Sequence, residues 1–292
     1  MRLLLTSAFL VLALPACQHA AVFGGSPTQE GGAPAADDNL NAVLWMQASA
    51  EYRAAATQTW RAAIGQLDKA LADPAWDALV AGERANPADG LPPAVVVDVD
   101  ETVLDNSPYQ ARLVRDGLEY DSRTWAAWVA EQKATAVPGV VEFAGAAGAR
   151  GVTIVYITNR TEAMQAATIA NLRAVGLPVA DESVFLGKGT VVEGCDAHDS
   201  GDKACRRQWA GRHYRVLMQF GDQLGDFAKV EPNTPAAHRQ LLETHGAWFG
   251  ERWWMLPNPS YGDWQAAQFD NDWSRSPQQR RAAKHEALEL AR

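Results

Sequence analysis

The chain predicts an α/β fold: a parallel sheet with helices on both faces, plus a helical accessory subdomain built from the N- and C-terminal segments. Three observations point there. Short apolar, largely β-branched runs recur through the middle of the chain, as expected for strands buried on both faces. Segments of helical length separate them, and parallel neighbours require such crossovers. A long helical pattern precedes the first strand and a tryptophan-rich tail follows the last.

In chain order, Arg2 precedes the apolar stretch 3–14, which ends in Leu14-Pro15-Ala16-Cys17. That is the layout of a secretory signal over residues 1–16, too short to span a bilayer. Residues 17–38 have the Gly/Pro/Ala/Ser composition of a flexible tether. The folded domain is expected over 39–292, with segments 39–90 and about 247–292 as the helical and aromatic accessory and about 91–246 as the core. From Asn39, apolar residues recur at helical spacing (Val43, Leu44, Tyr52, Trp60, Ile64, Leu67, Leu71), with Asp38 or Asn39 as the cap.

Pro92-Pro93 bounds the first strand, 94–97, which delivers Asp98 and Asp100 to its carboxyl end, on one side of the extended chain. Open α/β sheets bind ligands at that edge. A helix over 139–150, a strand over 152–157 ending at Thr158, and a helix over 162–175 closed by Gly176 follow. A short strand is expected at 183–186, a helix over 203–211, and a strand over 215–220 running into Gly221-Asp222. The tail from residue 247 holds five of the 11 tryptophans. Most are expected to pack an accessory layer against the N-terminal helix, with one or two left to form a slot for a flat ligand.

Composition excludes some function classes. A net charge of -9 disfavours binding a nucleic acid polymer, and 47% apolar with 21% charged residues is ordinary for a globular protein. No HExxH or GxxxxGK[ST] pattern is present, which argues against a zinc-protease site or a nucleotide-triphosphate loop. Besides Cys17, the cysteines are Cys195 and Cys205. A disulfide is the first expectation for an exported protein; a Cys195, His198, Cys205 metal site and two free thiols are the alternatives.

The three best strands each end in groups suited to phosphate chemistry. These are Asp98-Val99-Asp100-Glu101-Thr102, Thr158-Asn159-Arg160 and Gly221-Asp222-Gln223-Leu224-Gly225-Asp226, with Lys203 placed 19 residues before Asp222. Thr158 and Asn159 suit an N-cap of the next helix as well, and Lys188 competes with Lys203 for the role of phosphate lysine. In this order the four elements resemble the motifs of the haloacid dehalogenase (HAD) superfamily. Asn41 to Tyr52, the run from Asp98 to Tyr109, Val137-Pro138-Gly139 and Gly221 to Phe227 narrow the resemblance to the class C acid phosphatases, bacterial lipoprotein phosphatases and 5'-nucleotidases of that superfamily.

The resemblance implies a HAD-like Rossmannoid core and a magnesium-dependent phosphomonoesterase. Asp98 would attack phosphorus and form an aspartyl-phosphate, and Asp100 would protonate the leaving group and then take a proton from water. Mg2+ would be held by Asp98, the backbone carbonyl of Asp100 and Asp222, with Asp226 a further ligand or an outer partner of Lys203. Thr158, Asn159 and Lys203 would hold the phosphoryl group. Trp125 and Tyr261 would receive a base, with nucleoside 5'-monophosphates as the expected substrates; Trp128 suits plain packing equally well. Cys17 resembles the lipobox cysteine of bacterial lipoproteins, which implies a lipid anchor and an outer-membrane lipoprotein facing the periplasm or the surface. Phosphotransfer on the same scaffold, and a non-catalytic ligand-binding surface lipoprotein, are the alternative functions.

Overall fold

The computed structural model describes residues 37–195 and 201–291. The expected signal, Cys17, the tether as far as residue 36, and His198 lie outside the described residues.

Helices α1 (Leu40–Ala48) and α2 (Ala50–Ala72) replace the single N-terminal helix expected. The break falls at Ser49, whose extended backbone lets its hydroxyl accept the Tyr52 N–H and cap α2. Neither expected cap operates at α1: Asn39 occupies the N-cap position without a side-chain bond, and Asp38 pairs with Arg281. Val43, Tyr52, Trp60 and Leu67 are buried, but Leu44 faces solvent, since α1 buries Val43 and Met46.

β1 (Pro93–Val97) follows, its β-branched residues alternating between two cores. Val95 and Val97 pack with α2, while Ala94 and Val96 belong to the opposite cluster. Next comes β2 (Leu104–Asp105), separated from its antiparallel partner by α3 (Ser107–Asp116) and α4 (Ser122–Glu131). That partner is β3 (Thr135–Ala136). α5 (Val140–Gly148) begins after Gly139, whose φ of 95° and tight approach to Thr57 and Trp60 would strain any side chain. Then come β4 (Thr153–Thr161), α6 (Gln165–Ala174), β5 (Phe185–Lys188), α7 (Ala204–His213), β6 (Arg215–Gly221), α8 (Pro235–His245) and β7 (Trp253–Met255).

Among the described residues the main sheet runs β5-β4-β1-β6-β7, parallel throughout. β1 therefore lies at its centre, and its carboxyl end opens between those of β4 and β6. Three details differ from expectation. β4 continues through Thr161 and α6 opens only at Gln165, so Thr158 and Asn159 are strand residues and cap no helix. β5 starts at Phe185, because residues 182–184 form a 3-10 turn. The tail does not simply overlay the N-terminal helices: Trp253 and Trp254 enter the sheet as β7. Trp253 is buried with its indole N–H on Ala78 O at 2.8 Å, and Trp254 stacks on Phe220 at 6.3 Å. Of the five tail tryptophans, most of them expected to pack, Trp264 and Trp273 are exposed.

Cys195 and Cys205 form a disulfide with a Cα separation of 5.8 Å. Free thiols and the Cys195, His198, Cys205 metal set are thereby set aside, since bonded sulfurs offer no thiolate ligand.

Candidate active site

The carboxyl ends of β1, β4 and β6 gather one polar cluster. Directly after β1, Asp98 donates its N–H to Phe220 O of β6 at 2.9 Å, which draws the two strand ends together. The turn that follows passes through Glu101 at φ 56°, a left-handed conformation that a glutamate adopts at a cost. Its carboxylate secures the turn by accepting the Asn106 N–H at 2.8 Å and the Tyr261 hydroxyl.

At the end of β6, Gly221 lets the chain close on itself, because a Cβ there would collide with the Asp226 side chain. Asp226 Oδ2 accepts the N–H groups of Asp222 and Gln223 at 3.1 and 2.9 Å, and its Oδ1 accepts Lys203 Nζ at 2.7 Å. Lys203, just ahead of α7, also reaches Asp98 Oδ1. Lys203, not Lys188, is thus the lysine at the carboxylates; Lys188 lies opposite Thr161 in the sheet.

Asp98, Asp222 and Asp226 each offer a carboxylate oxygen within 4.8 Å of the others. Their oxygens are not equivalent. Both oxygens of Asp226 are occupied by the lysine and backbone donors, and Asp222 Oδ2 accepts Gln223 and Asn258 at 2.6 and 2.8 Å. Among the described residues, Asp98 Oδ2 and Asp222 Oδ1 meet only the Thr102 hydroxyl, 3.4 Å from each. The donor set fits a hard divalent cation, with those two oxygens as its carboxylate ligands and Asp226 as an outer partner.

Electrostatics agree. Burial pushes Asp98 up to about 7 against the opposing pull of Lys203, with Asp226 and Asp100 adding to the rise. Burial, reinforced by neighbouring carboxylates, raises Asp222 and Glu101 well above the ordinary carboxylate range. Lys203 is raised despite its own burial, because Asp226 and Asp98 favour its charge. Carboxylates outnumber the cations paired with them, a surplus that a divalent ion would neutralise.

Asp100 is held by Arg160 and Asn106, with Arg160 Nη2 at 2.8 Å and Asn106 Nδ2 at 2.9 Å from Oδ1. The Thr158 hydroxyl accepts the Arg160 N–H at 3.1 Å and keeps its own proton to donate. The Asn159 side chain is exposed, its amide donating to Gly201 O at 3.0 Å and accepting from Arg206 at 2.8 Å. Trp125 lies over the Arg160 guanidinium at 5.3 Å, Tyr261 is half-buried beside Glu101, and Trp128 is buried with its N–H on Asn106. Arg160, Asn106, Glu101, Gln223 and Asn258 gain roles only from the fold, although Glu101, Arg160 and Gln223 lie within the three strand-end motifs and Asn106 lies in the run from Asp98 to Tyr109. A groove of about 430 Å³ between α7 and α8, lined by Glu83, Lys229, Leu241 and His245 among others, shares no residue with this cluster. Chemistry rather than cavity size marks the site.

Comparison with known proteins gives concordant results. Residues 32–264 match the family model described as HAD superfamily, subfamily IIIB (Acid phosphatase). The Stem 31 kDa glycoprotein of Glycine max is 26% identical over 167 residues, 57% of this chain and 58% of that protein, so the chain spans less than two thirds of that relative. The class C acid phosphatase from Bacillus anthracis is 32% identical in sequence and superimposes with a TM-score of 0.75 over 87% of this chain and 98% of the other. A structure of the Bacillus anthracis class C acid phosphatase with tungstate bound matches with a TM-score of 0.74, 32% identity and the same coverage.

Proposed function

The chain belongs to the acid phosphatases of HAD superfamily subfamily IIIB, and from that premise we propose that it hydrolyses phosphomonoesters through an aspartyl-phosphate on Asp98. The observation that carries this reading is the convergence of Asp98, Asp100 and Asp222 at adjoining strand ends, with Lys203 reaching Asp98 from just ahead of α7. A tetrahedral oxyanion is bound by a relative of the same fold, which supports a phosphoryl group as the ligand.

In the first half-reaction a carboxylate oxygen of Asp98 bonds to phosphorus while the ester oxygen departs with a proton from Asp100. Lys203 offsets charge on the phosphoryl oxygens, and the Thr158 hydroxyl donates to one of them. In the second half-reaction water attacks phosphorus, Asp100 takes its proton, and Asp98 is released. A divalent cation, magnesium by resemblance, would be held by Asp98, Asp222 and the carbonyl of Asp100, and would lower the cost of bringing a phosphate dianion to these acids. The second aspartate separates this chemistry from dehalogenation, because halide leaves without a proton.

We favour nucleoside 5'-monophosphates as substrates. Support comes from Tyr261, hydrogen-bonded beside the turn that carries Asp100, and from Trp125, stacked on the arginine that grips Asp100. Both would flank a base. Residues 2–17 support export and lipidation at Cys17, and the Cys195–Cys205 disulfide suits an oxidising compartment.

The test is phosphate release from p-nitrophenyl phosphate, AMP and nicotinamide mononucleotide, with magnesium and after chelation. Turnover that chelation removes and magnesium restores is expected, with the nucleotides preferred. A folded protein inactive with every divalent ion on all three substrates would refute the phosphatase reading.

A further inference from the structure

We propose that Arg160 is the positioning residue for proton transfer by Asp100, and that Asn106, braced by Trp128, fixes the same carboxylate from its other side. The inference rests on the phosphomonoesterase reading. The Arg160 side chain is 1% exposed, so it faces a protein partner rather than incoming substrate. Its Nε and Nη2 both donate to Asp100 Oδ1, at 3.0 and 2.8 Å, and Asn106 Nδ2 donates to that oxygen at 2.9 Å. Oδ2 receives only a marginal contact from Nε at 3.4 Å. Three donors on one oxygen lock the carboxylate, and the other oxygen remains to handle the proton.

The donors are themselves held. Arg160 Nη1 donates to the Thr168 hydroxyl at 3.2 Å, and the Trp125 ring covers its guanidinium. The Asn106 amide cannot be reversed without loss, because its Oδ1 accepts both the Trp128 indole N–H at 2.8 Å and Arg160 Nη2 at 3.1 Å. That bonding turns Nδ2 toward Asp100. A lysine at position 160 would keep the charge but lose the planar fork that grips Oδ1 twice and Asn106 once.

The proton balance says what depends on this grip. As the bond from Asp98 to phosphorus forms and the ester P–O bond breaks, the leaving oxygen takes the proton from Asp100 Oδ2. In the second half the attacking water returns a proton to the same oxygen. An alkoxide needs that proton to leave, whereas p-nitrophenolate leaves without it. Loss of positioning should therefore depend on the leaving group, and a general loss of folding should not.

The experiment compares kcat/KM for n-propyl phosphate and p-nitrophenyl phosphate in the unsubstituted protein, Arg160→Lys, Trp128→Phe and Asp100→Asn. This parameter reports the first half-reaction. Arg160→Lys is expected to lose about 10²-fold on the alkyl ester and less than about threefold on the aryl ester, the scale of a displaced general acid. Trp128→Phe is expected to lose less with the same bias, and Asp100→Asn more. Circular dichroism checks each fold; should Arg160→Lys not fold, Trp128→Phe carries the same contrast. Equal losses on both esters, or none on the alkyl ester, would overturn the positioning role while leaving the phosphatase reading intact. Inactivity of the unsubstituted protein on both, and on AMP and nicotinamide mononucleotide as well, would overturn both.

Discussion

Gly221 is the position where the site tolerates least. A methyl group there would strike the Asp226 side chain, which holds Lys203 with one oxygen and the β6 turn with the other. Gly221→Ala is expected to destabilise by about 1–3 kcal/mol, the cost of overpacking, and to depress turnover further by displacing Lys203. A thermal melt and a phosphate assay on the same sample check both. At this scale the sequence was most readable where one residue type at a strand end has one obvious chemistry. Asp98, Asp100 and Asp222 follow strands identifiable from apolar runs, and the family resemblance implies Lys203 through its spacing to Asp222. The roles of Arg160 and Asn106 were not readable, because they arise from contacts across 60 residues and from a shared indole, and no periodicity encodes these. The contacts of Asn159 were not readable for a related reason: its amide bonds Gly201 and Arg206, partners brought close only by the fold.

Between elements, the N-terminal helices show how a single polar residue divides an apolar stripe. Ser49 ends α1 and caps α2, so Ser49→Ala is expected to cost about 0.5–2 kcal/mol in a denaturant titration, with little effect on turnover. β1, β4 and β6 were legible because strands buried on both faces read as apolar runs. β7 was not. Three residues of Trp-Trp-Met give no alternation, and their extended form depends on the β6 edge and on the Ala78 carbonyl that receives the Trp253 indole. The same holds for β2 and β3, each two residues long and defined only by pairing across an insertion of two helices.

Taken as a whole, the molecule concentrates buried acids at the centre of its sheet, and its stability should register that. Asp98, Asp222 and Glu101 have native pKa values raised above their unfolded values, so between those values the native state binds more protons than the unfolded chain. Stability from these groups is full below the unfolded carboxylate range and is lost as pH rises toward about 7 for Asp98. The metal-free protein should therefore melt at lower temperature at pH 8 than at pH 5. A divalent cation at about 100 times its Kd should recover about 2.7 kcal/mol, or some 5–10 °C, with the larger gain at pH 8. Scanning calorimetry at both pH values with and without magnesium checks the sign. The central claim concerns Asp98, and the most direct measurement is a rapid acid quench of the protein with a phosphomonoester carrying radiolabelled phosphate, followed by peptide mapping. The account expects hydroxylamine-sensitive label on the peptide containing Asp98, and both label and turnover lost in Asp98→Asn. Sustained phosphate release by Asp98→Asn, or label mapping to another residue, would contradict it.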